Sequence, residues 1–153
     1  SMMGFCIGNP MIWNMQKLVP GRMVAAVSAQ PSGVHPDHPD FFFHNNMKIW
    51  VPGLLERNPG LSRETVERYL HRMYDGVDFV LTVDRDFVRH STVPLLVLPD
   101  EVPAHPYAVA MEMAHLAPQA EVSLYPWKLA PDTIRLAVRH VRTFLKAHCP
   151  AAD

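Results

Sequence analysis

Apolar residues recur along the chain at two spacings, which predict alternating helices and strands. Residues 9–19 carry apolar side chains at helical spacing, and we expect a helix that Asn9 caps and Pro10 opens. The run 23–29 is continuously small and apolar, which is typical of a strand buried on both faces of a parallel sheet. The first part of the chain therefore predicts a turn, a helix and a buried strand.

The same alternation returns in the second half of the chain. Residues 94–99 predict a short buried strand, and 106–117 a helix. Another short strand is expected over 120–125, and a terminal amphipathic helix over 131–148. This order predicts the α/β fold class, with a parallel sheet, helices on both faces and reactive loops at the carboxyl ends of the strands.

The alternation is interrupted in the middle of the chain. We predict one domain over 1–153, with a mostly helical, cap-like insertion over 36–92. Helical spacing extends over 79–88, although a strand would also fit there. The insertion also holds an aromatic and aliphatic patch, which either lines a substrate pocket or fills the core of the insertion. Its candidate substrate-binding residues are Phe42, Phe43 and Trp50.

Charge and composition limit the kinds of molecule that the protein is expected to bind. The net charge is −1 with no run of Lys or Arg, and no apolar stretch approaches the length of a membrane span, so we expect neither nucleic acid nor a membrane as a partner. The two cysteines, Cys6 and Cys149, lie far apart in sequence, which favours a reducing cytoplasm, and Cys149 is interpreted as a bystander. We predict no cofactor.

A second group of polar residues lies in the loop after the first predicted strand. His35, Asp37 and His38 could contribute to a metal site, since His and carboxylate are zinc ligands. Pro36 and Pro39 restrict both histidines to extended backbone, and no third ligand follows at a typical spacing. We therefore favour a proline-rich surface loop and predict no metal.

The strongest chemical signal is the stretch 4–8, which reads G-x-C-x-G and precedes the first predicted helix. This is the pattern of a nucleophile elbow, with a thiol in place of the usual serine. Glycine at 4 and 8 would let the chain make a sharp turn, and the following helix would favour the thiolate form of Cys6. The alternative is a small buried cysteine in a glycine-flanked turn.

With the order of the elements, these residues resemble the second half of the α/β-hydrolase fold. The resemblance rests on the elbow at 4–8, the strand over 24–30, the strand end over 95–100 and the segment 118–128. It implies hydrolysis or acyl transfer on a small apolar ester, thioester or lactone. Cys6 takes the nucleophile position, Asp100 the acid position, and the backbone N–H of Ile7 an oxyanion-donor position.

The sequence departs from this family where the catalytic histidine is expected. No histidine lies over 125–132, after the last predicted strand. His105, five residues after Asp100, is the histidine in the right region, so we predict that it serves Cys6 as base and that Asp100 or Glu101 orients it. The alternative is a loop histidine that fixes a turn before Pro106.

A second departure concerns the sheet. Only five residues precede Cys6, so the family's earlier strands are absent, and the expected sheet is truncated with an exposed edge. We expect a homodimer or a companion chain to cover that edge. The alternative to an enzyme is a catalytically inactive, truncated hydrolase homologue that acts as a binding or dimerisation module.

Overall fold

A computed structural model describes residues 1–35 and 37–148, so the prediction for Cys149 lies outside the described residues. The strands are β1 (Met2–Cys6), β2 (Ala26–Pro31), β3 (Leu95–Leu98) and β4 (Ala120–Val122). The helices are α1 (Gly8–Leu18), α2 (Phe41–Asn45), α3 (Val51–Arg57), α4 (Arg63–Tyr74), α5 (Arg85–Arg89), α6 (Tyr107–Leu116) and α7 (Pro131–Ala147). A π-helical segment, Asn46–Trp50, joins α2 to α3.

The four strands form one parallel sheet in chain order, β1-β2-β3-β4, which confirms the predicted α/β class. Alternate residues of the central strands enter opposite cores, because successive side chains of a strand point to opposite faces. Leu95 and Val97 of β3 pack on one face with helices α1 and α6, whereas Leu96 and Leu98 pack on the other face against α7. Both faces of the central strands are therefore buried, as their continuous apolar runs predict.

The insertion divides between two cores. Helices α2 to α4 pack around a cluster of their own, formed by the buried residues Val51, Val66 and Leu70. Phe79 and Val88, in contrast, lie in the main core beneath α1 and α6. The lid-like part is therefore the helical segment 41–74, and its role as a cap over a substrate stays a prediction.

The helix predicted over 79–88 is wrong in its first half. Residues 79–83 form turns and bends, and Leu81 has a φ of +70°, which a right-handed helix excludes. A short helix begins only after Asp84, whose side chain accepts a hydrogen bond from the Phe87 N–H at 2.8 Å. The apolar residues that suggested one long helix are instead buried by a turn followed by α5.

No strand in the described part of the chain pairs with the outer edge of β1. Met2 donates its N–H to Ala25 O at 3.1 Å. Because the residues of a parallel strand bond alternately to the two sides, the backbone groups of Met3 and Phe5 face away from β2. The side chains of Met3 and Phe5 are 41% and 50% exposed. No helix within the described residues is long and apolar enough to cross a membrane.

Candidate active site

The predicted elbow lies in a sharp turn between β1 and α1. Cys6 has a φ of +50°, and the register of β1 against β2 shifts between Phe5 and Cys6. A β-carbon placed on Gly4 would lie 2.4 Å from Gly8 O, so the turn requires glycine at position 4. A β-carbon on Gly8 would meet nothing within 4 Å, so the expectation that Gly8 is also needed for space is wrong.

Asn9 holds this turn in place from inside the helix. The prediction that Asn9 caps α1 is wrong, because α1 begins at Gly8 and Asn9 lies in its first turn. Its buried side-chain amide donates to Cys6 O at 3.1 Å and to Ala29 O at 3.0 Å, and its carbonyl accepts from the Ser28 hydroxyl. Asn9 therefore fastens the elbow to β2.

Cys6 lines a cavity of about 400 Å³ between the carboxyl end of the sheet and the helical segment 41–74. Among the described residues that line it there is no Asp, Glu, His, Lys or Arg. Phe42 and Trp50 line this cavity, as does Ile7 next to the thiol. Phe43 packs elsewhere, with its ring 4.3 Å from the ring of His71, so its predicted contact with substrate stays a prediction.

Ser32, which follows β2, connects the thiol with the loop after β3. Its buried hydroxyl lies 3.8 Å from Cys6 Sγ and 3.1 Å from Ala104 O. The single hydroxyl proton can be donated to either acceptor. Donation to Sγ would stabilise a thiolate.

Asp100 and His105 are brought together by the loop after β3. Nδ1 of His105 lies 3.4 Å from Oδ2 of Asp100, which is ion-pair range without hydrogen-bond geometry. Both ring nitrogens of His105 are buried and have no hydrogen-bond partner among the described residues, so the ring makes no hydrogen bond to Cys6. Burial lowers the pKa of His105 below 6.5, with a smaller contribution from the charge of Lys128, and these effects outweigh the opposing effect of Asp100.

Asp100 contacts two other side chains more closely than it contacts His105. Its Oδ2 accepts hydrogen bonds from Lys128 Nζ at 2.6 Å and from Gln30 Nε2 at 2.8 Å. Burial is the largest single influence on the pKa of Asp100 and would raise it. The hydrogen bonds from Lys128, Gln30 and the Glu101 backbone outweigh burial, so the pKa is lowered and Asp100 is a carboxylate at neutral pH.

The polar loop after β2 lies to one side of this site. His35, His38 and Glu101 line a separate surface pocket of about 490 Å³, so Glu101 faces away from the Cys6 cavity. Within 1–35 and 37–148, no three His, Cys, Asp or Glu side chains come together as metal ligands would. Nδ1 of His35 instead accepts the Asp37 N–H at 3.1 Å, within the loop itself.

Two of the residues that surround the predicted catalytic groups, Ser32 and Gln30, were not identified from the sequence. Ser32 and Gln30 reach Cys6 and Asp100 only because β2 lies beside β1 and β3. Lys128 offered a positional signal, since it follows the last strand where a histidine was sought. The Trp127 indole fixes that loop on β3 by donating to Pro99 O at 2.8 Å.

The structure is similar to several solved structures. NosK from Streptomyces actuosus matches with a TM-score of 0.63 and 17% sequence identity, over 96% of this chain and 68% of NosK. The esterase EaEST from Exiguobacterium antarcticum matches with a TM-score of 0.59 and 13% identity, over 94% of this chain and 65% of the esterase. The meta-cleavage product hydrolase CumD from Pseudomonas fluorescens IP01 matches with a TM-score of 0.59 and 14% identity, over 95% of this chain and 64% of CumD.

No protein-family model matches the sequence, and no curated protein matches it significantly. The chain spans about two thirds of the length of the solved structures, which are α/β-hydrolases. At identities of 13 to 17% these similarities show a shared fold and leave the reaction open. Over the part of those structures that it covers, the chain has the α/β-hydrolase fold.

Proposed function

We propose that the protein hydrolyses or transfers the acyl group of a small, uncharged ester, thioester or lactone, with Cys6 as the nucleophile. The observation that carries the proposal is the placement of the Cys6 thiol. It lies on a turn with positive φ and lines an apolar cavity that has no charged side chain among the described lining residues. Strained backbone of this kind is concentrated at functional sites.

The first step is attack of Cys6 Sγ on the acyl carbon. His105 takes the thiol proton and passes it to the leaving oxygen or sulfur, so that a thioester on Cys6 and a free alcohol or thiol result. The N–H of Ile7, at the start of α1, stabilises the negative oxygen of the tetrahedral intermediate, and the N-terminal end of α1 adds its partial positive charge. Water, deprotonated by His105, then releases the acid.

The environment of His105 supports its role as a base. Burial lowers its pKa, so the ring is neutral at pH 7 and can accept a proton. Neither of its buried ring nitrogens has a hydrogen-bond partner within 1–35 and 37–148, and Asp100 lies close enough to orient the ring. His105 is not among the residues that line the Cys6 cavity and its ring nitrogens are buried, so in this proposal the ring turns toward the cavity before it takes the thiol proton and passes it to the leaving atom.

The cavity supports an apolar acyl group as the substrate's main recognition element. Aromatic side chains from the helical segment 41–74 line it, Phe42 and Trp50 among them. Leu81, which lies outside that segment, lines it as well. A cavity of about 400 Å³ lies within the usual range for small-molecule sites. A charged acyl group would lose its hydration there without gaining an ionic partner from the described residues.

The direct test is turnover of p-nitrophenyl butyrate and a butyryl thioester by wild type and Cys6→Ala. Loss of the nucleophile should lower kcat/KM by at least about 10³-fold. Cys6→Ser serves as a second variant, because it keeps the geometry and replaces the thiol with a weaker nucleophile. Equal rates for wild type and Cys6→Ala would remove Cys6 from the reaction.

Because the nucleophile is a free thiol, a cytoplasmic, reducing location is part of the proposal.

A second candidate function, as a binding or dimerisation module, is favoured by one surface. On α7, His140 contacts Ser123 and Glu121 on the β4 side, so the opposite side of the helix faces β1. Ile134 and Val138, on that opposite side, are exposed. Met3 and Phe5 of β1 are exposed as well, and their strand partners Val27 and Ala29 belong to the core on the α7 side of the sheet.

We propose that a second copy of the chain or a companion chain covers this surface. Sedimentation of wild type and Phe5→Lys would test that part of the proposal. Wild type should sediment as a homodimer or, when its companion chain is present, as a complex with that chain, and Phe5→Lys should lose the association. A wild type that stays monomeric and stable at all concentrations, with no companion, would contradict it.

A further inference from the structure

Lys128 forms an ion pair with Asp100 and has no role in the reaction proposed above. It lies in the loop between β4 and α7, and the Trp127 hydrogen bond to Pro99 O holds this loop against the end of β3. Its ammonium group reaches Asp100 Oδ2 at 2.6 Å, although the lysine side chain is 41% exposed. The loop after the last strand therefore places the positive charge of Lys128 beside the Asp100 carboxylate.

Lys128 and His105 compete for the same carboxylate oxygen. Lys128 and Gln30 both donate to Oδ2 of Asp100, at 2.6 and 2.8 Å, and Nδ1 of His105 stands 3.4 Å from that oxygen. The other nitrogen of the imidazole is also without a hydrogen bond among the described residues. A carboxylate already held by two close donors attracts a proton on His105 less strongly.

We propose that Lys128 is a positioning residue: by holding Asp100, it prevents a full imidazolium–carboxylate pair and keeps the His105 ring neutral and available as a base. This inference rests on the proposed function for its consequence in catalysis. The ion pair itself and its effect on His105 can be tested without any substrate.

The signs of the charges around His105 support this role. The loop after β3 contributes Asp100 and Glu101, the loop before α7 contributes Lys128, and Tyr107 and Tyr125 lie beside these loops with rings 4.9 Å apart. Burial lowers the pKa of His105 most, Asp100 opposes this, and Lys128 adds to the lowering. Removal of the lysine charge leaves Asp100 as the nearest ion and should therefore raise the pKa.

The experiment is an NMR titration of the His105 ring in wild type, Lys128→Met and Lys128→Arg, with His105→Gln used to assign the resonance. In Lys128→Met the titration midpoint should rise by more than the error of the titration. Lys128→Arg keeps the charge and should stay near wild type. Lys17→Met, which removes an exposed lysine from α1, is the matched control and should leave the midpoint unchanged.

A midpoint in Lys128→Met that equals wild type would overturn the proposal, as would an equal rise in Lys17→Met. If Cys6 is the nucleophile, the acidic limb of kcat/KM should move upward in Lys128→Met with the His105 midpoint. An NMR shift together with unimpaired turnover by Cys6→Ala would retain the role of Lys128 and reject the proposed reaction. The two results thus separate the two proposals.

Discussion

Gly4 and Gly8 meet backbone to backbone across the elbow, so closely that a β-carbon on Gly4 would lie 2.4 Å from Gly8 O. Gly4→Ala should therefore open the turn, lower the free energy of unfolding by about 1–3 kcal/mol and slow alkylation of Cys6. Gly8→Ala is the matched control, because a methyl group there meets nothing within 4 Å. Urea unfolding and iodoacetamide kinetics measure both effects, and equal behaviour of the two variants would contradict the elbow geometry.

The side chain of Asn9 is expected to be a major support of the site. Asn9→Ala leaves Cys6 O and Ala29 O without their buried donor and should lower the free energy of unfolding by about 1–3 kcal/mol. Asn58→Ala is the control, since that exposed amide donates to Leu54 O in its own turn and should change stability by less than about 0.5 kcal/mol. A loss no larger than that of the control would show that Asn9 does not fasten the elbow.

The stability of the protein should depend on pH through His105. Its pKa is lowered in the folded state by burial, so below 6.5 the unfolded chain binds more protons than the folded chain. The contribution of His105 to stability is therefore full above pH 6.5 and falls progressively as the pH drops toward the folded pKa. His105→Gln should lose less free energy of unfolding than wild type between pH 8 and pH 5. Parallel curves for the two proteins would argue against a buried, neutral ring.

The cavity predicts which aromatic residues affect substrate binding. Trp50→Ala and Phe42→Ala enlarge or open the cavity and should raise KM for a butyryl ester, by about 10-fold each if they lose roughly 1.4 kcal/mol of binding. Phe43→Ala removes a ring that packs within the helical segment 41–74 instead, so it should lower stability and leave KM close to wild type. An equal rise in KM for all three variants would contradict this division.

Local chemistry in the sequence was sufficient to predict most of the sheet and the need for glycine at position 4. Position 4 requires glycine because a β-carbon there would clash with Gly8, which is only four residues away. The strand over 95–98 follows from a continuous apolar run. The segment 79–83 was misread as helix because its apolar spacing fits a helix, whereas burial in the main core and a positive φ at Leu81 decide its turn. Tertiary packing outweighed local periodicity there.

The partners of the candidate site were harder to predict, because they come from different strands. Ser32 and Gln30 have ordinary loop and strand positions in sequence, and only strand order brings them to Cys6 and Asp100. The residue type of Asn9 suggested a helix cap. Asn9 instead lies inside the first turn of α1, where its buried amide donates to carbonyl groups of two strands. Such roles depend on which strands are neighbours in the sheet, and residue spacing along the chain does not specify that order.

Mass spectrometry of the intact protein during reaction with p-nitrophenyl butyrate tests the central claim most directly. In a Cys149→Ser background Cys6 is the remaining cysteine. The account predicts a transient gain of one butyryl group, located by proteolysis on Cys6 and absent in Cys6→Ala. Turnover without any acyl group on Cys6, or with the group on another residue, would contradict the account.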